Sequence, residues 1–189
     1  NNHIMNHFLP ALFKPIKKKK KEAAILAIIR KTAQEQTGIF YQKGENLYVA
    51  EYTEVPSSIK EALSLDGNLL YQWANISVLC INPLMIDTLA TLSLPIHKAK
   101  KIRNNQIIFK QEYFIFDTFP FLKSFALISL DRTKWFSPIK AKEGEDSLEK
   151  AAIAFERLQE EQARNASLFS NESKRASDID PAILYGLPR

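Results

Sequence analysis

Ala23-Ala24-Ile25-Leu26-Ala27-Ile28-Ile29-Arg30 decides how this chain folds. It is a short apolar run closed by an arginine, and such a run fits a buried strand. Working outward, Gly38–Tyr41 and Leu47–Tyr52 flank the turn residues Lys43, Gly44, Glu45 and Asn46, the pattern of a β-hairpin. Ser58-Ile59-Lys60-Glu61 matches a capping box and predicts a short helix ending near Gly67. Leu69–Trp73 and Asn75–Ile81 read as two strands or one bent strand. Asn82-Pro83 supplies an N-cap and first-turn proline for a helix to about Leu92, which Pro95 terminates.

Ile107–Phe116 is β-branched and aromatic, so it reads as extended, and Asp117-Thr118 is expected to cap a brief helix over 119–123. Phe125–Leu130 is a second buried strand. Asp146-Ser147-Leu148-Glu149 opens the longest helix, about 147–165, whose Leu148, Ala152, Phe155 and Leu158 fall on one stripe. Residues 166–180 are polar and read as loose. Strands alternating with helices predict an α/β sheet.

The chain has 189 residues, 46% hydrophobic and 25% charged, an ordinary globular mix for one domain. Average usage predicts about 13 glycines; there are 5, at positions 38, 44, 67, 144 and 186. None has the spacing of a phosphate-cradling loop, which by itself argues against a nucleotide enzyme. The net charge of +5 owes much to Lys14 and the run Lys17–Lys21. That run has no interleaved aromatic and no arginine, so nucleic acid is not the expected partner.

Cys80 is the single cysteine, and no intrachain disulfide can form. No apolar stretch reaches membrane-span length and no signal-peptide pattern opens the chain, so a cytoplasmic protein without a membrane partner is expected. The sequons at Asn75, Asn165 and Asn171 then read as chance matches. His3 and His7 have i, i+4 spacing without a third ligand nearby, and no metal site is read from them. The start at Asn1-Asn2-His3, without Met, suggests a piece of a longer protein.

Five segments, in order, carry a resemblance. They are Ala50-Glu51-Tyr52-Thr53-Glu54-Val55, Ala74-Asn75-Ile76-Ser77, His97-Lys98-Ala99-Lys100-Lys101, Phe114-Ile115-Phe116-Asp117-Thr118-Phe119 and Phe136-Ser137-Pro138-Ile139-Lys140. Together they resemble the UDP-sugar pyrophosphorylase family, most closely its UDP-N-acetylglucosamine branch. Asn1-Asn2 followed by Phe8-Leu9-Pro10 is similar to the end of that family's V-D-N turn, and residues 178–186 to a later family segment. The family's Gly-rich loop is absent, as is the aspartate of the V-D-N turn. The glycine shortage thus acquires a second meaning: the chain resembles the carboxy-terminal half of such an enzyme.

The resemblance implies a mixed, mostly parallel sheet of a Rossmann-like nucleotide-sugar transferase fold, lacking its N-terminal nucleotide-binding half. Residues 1–145 would be the sugar-binding half of the catalytic domain, and 146–189 a C-terminal helix and tail. It implies an enzyme that joins UTP to a hexose 1-phosphate and releases pyrophosphate, with Mg²⁺ as cofactor. Glu51 would accept hydrogen bonds from two sugar hydroxyls, and Asn75 would offer a donor and an acceptor to another. Phe114 and Phe116, two apart on an extended segment, would line the sugar pocket from one side. Lys140 would place its ammonium on the sugar phosphate as the catalytic charge. His97 reads as structural, and Asp117 as a helix cap. The alternative is a non-catalytic remnant or scaffold that keeps sugar-phosphate or UDP-sugar binding.

Overall fold

The computed structural model describes residues 12–103 and 106–169. Asn1–Asn2, Phe8–Pro10, the His3/His7 pair and the 178–186 segment lie outside the described residues. A helix α1 (residues 12–19) leads into the apolar run, which forms strand β1 (Ala23–Ile29). A hairpin follows, β2 (Gly38–Lys43) and β3 (Asn46–Ala50), then the single turn α2 (Ser57–Lys60) and the long strand β4 (Trp73–Ile81). A 3-10 turn (Pro83–Met85) runs into α3 (Ile86–Ala90). Strands β5 (His97–Arg103) and β6 (Gln106–Glu112) make a separate two-stranded sheet. A 3-10 helix (Ile115–Phe121), strand β7 (Phe125–Ser129), α4 (Arg132–Trp135) and α5 (Leu148–Phe169) complete the order.

The main sheet has the strand order β3-β2-β4-β1-β7. Every residue of Ala23–Ile28 is fully buried, because β1 lies between β4 and β7 and both its faces are covered. Ile25 and Ala27 pack with Phe40, Leu47, Phe119 and Leu127, while Leu26 and Ile28 pack on the other face with Leu12, Ala126, Ile128 and Leu130. Each such side chain contributes about 1.5–3 kcal/mol by leaving water.

The α/β class stands, but the expected parallel majority does not. The β2–β3, β2–β4 and β1–β4 pairings are antiparallel, and only β1–β7 is parallel. Connection length explains the β2–β3 pair. A parallel neighbour needs a crossover of about a dozen residues or more, whereas Lys43 pairs directly with Asn46. The hairpin therefore closes over Gly44 and Glu45, with Gly44 in the left-handed region at φ 63°. Glu22 holds the start of the parallel pair, its carboxylate accepting from the backbone N–H groups of Lys123 and Ser124.

Strand β4 is one bent strand. Ala27 pairs with Asn75 and Ile25 with Leu79, so Ile76, Ser77 and Val78 together face Leu26. Ser77 adopts φ 57°, and its N–H donates to Asn75 Oδ1 at 3.0 Å, an Asx-type lock on the bulge. The Asn82 cap forms as expected, its Oδ1 accepting from Leu84 N at 3.1 Å, although α3 stops at Ala90. The capping box at Ser58 does not form. The turn starts earlier, at Ser57, with Pro56 at the N-cap and no side-chain bond.

Two further expectations shift near the second sheet. Strand β5, in a lysine-rich stretch, was not legible, and the extended segment after it ends at Glu112. The helical turn begins at Ile115 rather than 119, with Phe114 at its N-cap, so Asp117 sits inside it and caps nothing. At the end, Ser147 Oγ accepts from Lys150 N at 3.3 Å and α5 runs on to Phe169. Helix thus replaces the loose chain expected over 166–169; residues 170–180 lie outside the described residues. Among the described residues, no helix is long and apolar enough to cross a membrane.

Candidate functional site

The site grows from strand register. Gly38 at the start of β2 pairs with Asn75 on β4, and Ile39 pairs with Ala50 at the end of β3. Glu51, the next residue, therefore emerges at the level of Gly38 and Asn75. Close approach requires glycine here: a Cβ on residue 38 would lie 2.8 Å from Val49 Cγ1 and 3.7 Å from Asn75 Cβ. Gly38 is thus a buried, closely packed floor between Glu51 and Asn75, with the Val49 side chain over its Cα. Asn75 is buried, and its Oδ1 already holds the bulge, which leaves the amide Nδ2 as the donor it can offer.

Glu51 opens a turn in which Glu54 N donates to Glu51 O at 2.9 Å. That turn presents Glu54 to His97, the first residue of β5. Glu54 Oε1 lies 2.8 Å from His97 Nδ1, and Asp117 Oδ2 lies 2.9 Å from His97 Nε2. Burial works to lower the His97 pKa, but the hydrogen bonds and charges of Glu54 and Asp117 outweigh it and raise the value above the ordinary one. A carboxylate at each nitrogen favours the protonated ring, which can donate at both ends. Burial, reinforced by the charges of Glu54 and Glu112, pushes the Glu51 carboxyl up, with the Tyr52 N–H and His97 partly opposing it.

The aromatic wall is continuous with this clamp. The His97 ring centroid is 4.6 Å from that of Phe114, and Phe114 stacks on Phe116 at 4.6 Å and 18°. Phe116 is buried in the core, whereas Phe114 is half-buried beside it. The two rings do share one side. The cause is stacking across the entry to the 3-10 helix, not the alternation of an extended strand.

Lys140 is exposed on the loop before α5, and its Nζ donates to the carbonyl of Gln36, two residues before Gly38. Asp146 O anchors that loop, accepting from the backbone N–H groups of Lys140 and Ala141 at 2.7 and 3.0 Å. The segment carrying Gln36 is fixed by Arg30, which is buried and donates to Tyr71 O and Ala33 O at 2.9 and 2.8 Å. Glu35 adds an ion pair to Arg132 at 2.6 Å.

The structure brings Glu51 and Asn75 to either side of Gly38 and links Phe114 and Phe116 to the Glu51 turn through His97, whereas Lys140 reaches only the Gln36 carbonyl, two residues before Gly38. Sequence reasoning missed Gly38, Glu54 and the bridging part of His97 and Asp117. The signal was present in a second acid three residues after Glu51 and a lone histidine, but pairing them needs the fold. The turn at Asn1-Asn2 that the resemblance ties to Mg²⁺ lies outside the described residues. Among the described residues no group of three or more His, Cys, Asp or Glu could hold a metal ion, and Glu54 and Asp117 are already committed to His97.

Comparison with known proteins gives this geometry a context. UDP-N-acetylglucosamine diphosphorylase 2 of Arabidopsis thaliana is 34% identical over 155 residues, 74% of this chain and 30% of that protein. This chain is a homologue of part of the UDP-N-acetylglucosamine pyrophosphorylases. It spans about a third of the length of the curated relatives it matches. The fold is shared with solved structures. A chain assigned as a UDP-N-acetylglucosamine pyrophosphorylase from Entamoeba histolytica superposes with a TM-score of 0.71 at 23% identity, covering 83% of this chain and 42% of that one. The UDP-N-acetylglucosamine pyrophosphorylase of Trypanosoma brucei, solved with an inhibitor, gives 0.67 at 20% identity over 86% of this chain and 35% of that one. No protein-family model matches this chain.

Proposed function

We propose that this chain is the sugar-phosphate side of a UTP:sugar-1-phosphate uridylyltransferase. In that reaction a phosphate oxygen of the sugar 1-phosphate attacks the α-phosphorus of UTP. A new P–O bond forms, the α–β bridge breaks, and pyrophosphate leaves. No covalent enzyme intermediate is needed, so the protein's work is to position reactants and neutralise charge.

One arrangement supports the reading: Glu51 and Asn75 flank the sheet floor at Gly38, and the turn that starts at Glu51 reaches the Phe114 ring through the Glu54–His97 contact. A carboxylate held partly out of water is a strong acceptor for a pair of adjacent hydroxyls. Those donors would stabilise its charged form and draw its raised pKa back down. The Asn75 amide adds a donor, and the aromatic face of Phe114 suits the apolar side of a sugar ring. Lys140 stands on an exposed loop at the entrance to β2, where its ammonium can leave the Gln36 carbonyl for a phosphate. No step is assigned to the Mg²⁺ that the resemblance implies.

Calorimetric titration of this chain with glucose 1-phosphate, N-acetylglucosamine 1-phosphate and the matching UDP-sugars tests the reading. Saturable binding weakened at least tenfold by Glu51→Ala and by Lys140→Ala is expected. Absence of saturable binding by any of these ligands would overturn it. Pyrophosphate release from UTP by the chain alone would show that it is more than the sugar side.

A further inference from the structure

We propose that His97 is the positioning residue of this sugar site: held between Glu54 and Asp117, it ties the turn that carries Glu51 to the helical segment that carries Phe114 and Phe116. The inference rests on the reading of Glu51 and Phe114 as sugar-binding groups and names what sets their relative placement.

Geometry comes first. His97 begins β5, in the small second sheet, whereas Glu51–Glu54 follows β3 in the main sheet and Asp117 lies in the 3-10 helix. The imidazole touches both other segments, with Nδ1 2.8 Å from Glu54 and Nε2 2.9 Å from Asp117. Its ring packs against Phe114 at 4.6 Å and faces Phe116 edge-on at 6.3 Å. Three elements therefore meet at one side chain, and that side chain is only 16% exposed.

Charge makes the clamp conditional. An imidazolium donates from both nitrogens, but a neutral ring has a single donor and must turn a lone pair toward one carboxylate. Acidic groups face this ring from every packed element: Glu51 and Glu54 on the turn, Glu112 directly opposite on β6, and Asp117 on the 3-10 helix. The cations nearby are Lys98, adjacent on β5, and Lys110, which pairs with Glu112. Loss of the His97 proton releases one end of the clamp and removes an attraction that keeps Glu51 ionised. Both effects disfavour the carboxylate acceptor a sugar needs.

The test uses the full chain and UDP-glucose or UDP-N-acetylglucosamine, whose diphosphates do not titrate near neutrality. By NMR, the amides of 51–54 and 114–117 should titrate together with the His97 ring, with one shared midpoint above the ordinary histidine value. Wild-type affinity should fall as pH rises through that midpoint. His97→Gln should bind at least tenfold more weakly at the acidic end and show a flat profile across the same range. A merely structural histidine would not move that profile. Glu54→Gln supplies a second variant should the first not fold: it should uncouple 51–54 from the His97 titration and leave 114–117 coupled. Amides of 51–54 that ignore the His97 titration in the wild type, or wild-type affinity in His97→Gln, would overturn the proposal while the functional reading survived. A wild type that binds no UDP-sugar sinks that reading instead, and the amide titration still decides whether the clamp exists.

Discussion

Strands β1, AAILAII, and β6, QIIFKQE, each carry a run of large apolar residues, wholly apolar in β1 and flanked by polar ones in β6, and those runs meet opposite fates. Ala23–Ile28 of β1 is sealed from solvent, while Ile107, Ile108 and Phe109 of β6 remain 57%, 44% and 63% exposed. Neighbours account for the contrast. β1 has a strand on each side and side-chain layers on both faces, and β6 has β5 alone. Strand propensity forms both; burial depends on what the rest of the chain brings alongside.

Truncation experiments would break or sharpen this contrast. The largest effect is expected from Phe40→Ala, which empties a site shared with Ile25 and Phe119 and should cost about 3–5 kcal/mol in urea denaturation. Gly38→Ala should cost about 1–3 kcal/mol, because the new Cβ meets the short, branched Val49 side chain, and it should weaken UDP-sugar binding. Ser147→Ala removes the α5 cap and should cost about 1 kcal/mol. A thermal-stability profile against pH separates the polar region from the core. His97 has a raised folded pKa, so its contribution is complete below the ordinary histidine value and fades as pH rises through the folded one. Glu51, also raised, acts in the same direction just above the ordinary carboxylate range. His97→Gln should flatten the upper part of that profile and move the lower part to higher pH, because the positive charge that opposes the Glu51 shift is gone. Phe109→Ala, the β6 counterpart of the core truncation, should stay within about 0.5 kcal/mol; a loss comparable to Phe40→Ala would show that β6 is covered in solution.

The sequence is most legible where one local rule decides the outcome. The apolar run of β1, the hairpin over Gly44 and the caps at Asn82 and Ser147 all depend on a few adjacent residues. Strand direction is not legible in the same way, because it depends on which distant strands come to lie side by side, and β1 finds its parallel partner only at Phe125. The site divides the same way. Glu51, Asn75, the two phenylalanines and Lys140 could be named from short motifs. The clamp could not, because Glu54, His97 and Asp117 come together only when two separate sheets and a 3-10 helix meet. Asp117 shows the cost of local reasoning: an acid before a helical turn resembles a cap until a histidine 20 residues away takes its carboxylate.

The parallel pairing of β1 with β7 also sets a timetable. Ala23 pairs with Phe125, so the second flank of the most apolar strand arrives about a hundred residues after the strand itself. At a synthesis rate of about 5–20 residues per second, β1 waits on the order of 5–20 s before both its sides can be occupied. During that interval an uncharged strand has one open hydrogen-bonding edge, the situation in which nascent chains pair with each other. The lysines of 17–21 stand immediately before it. Their mutual repulsion between chains would discourage that pairing until β7 has been made.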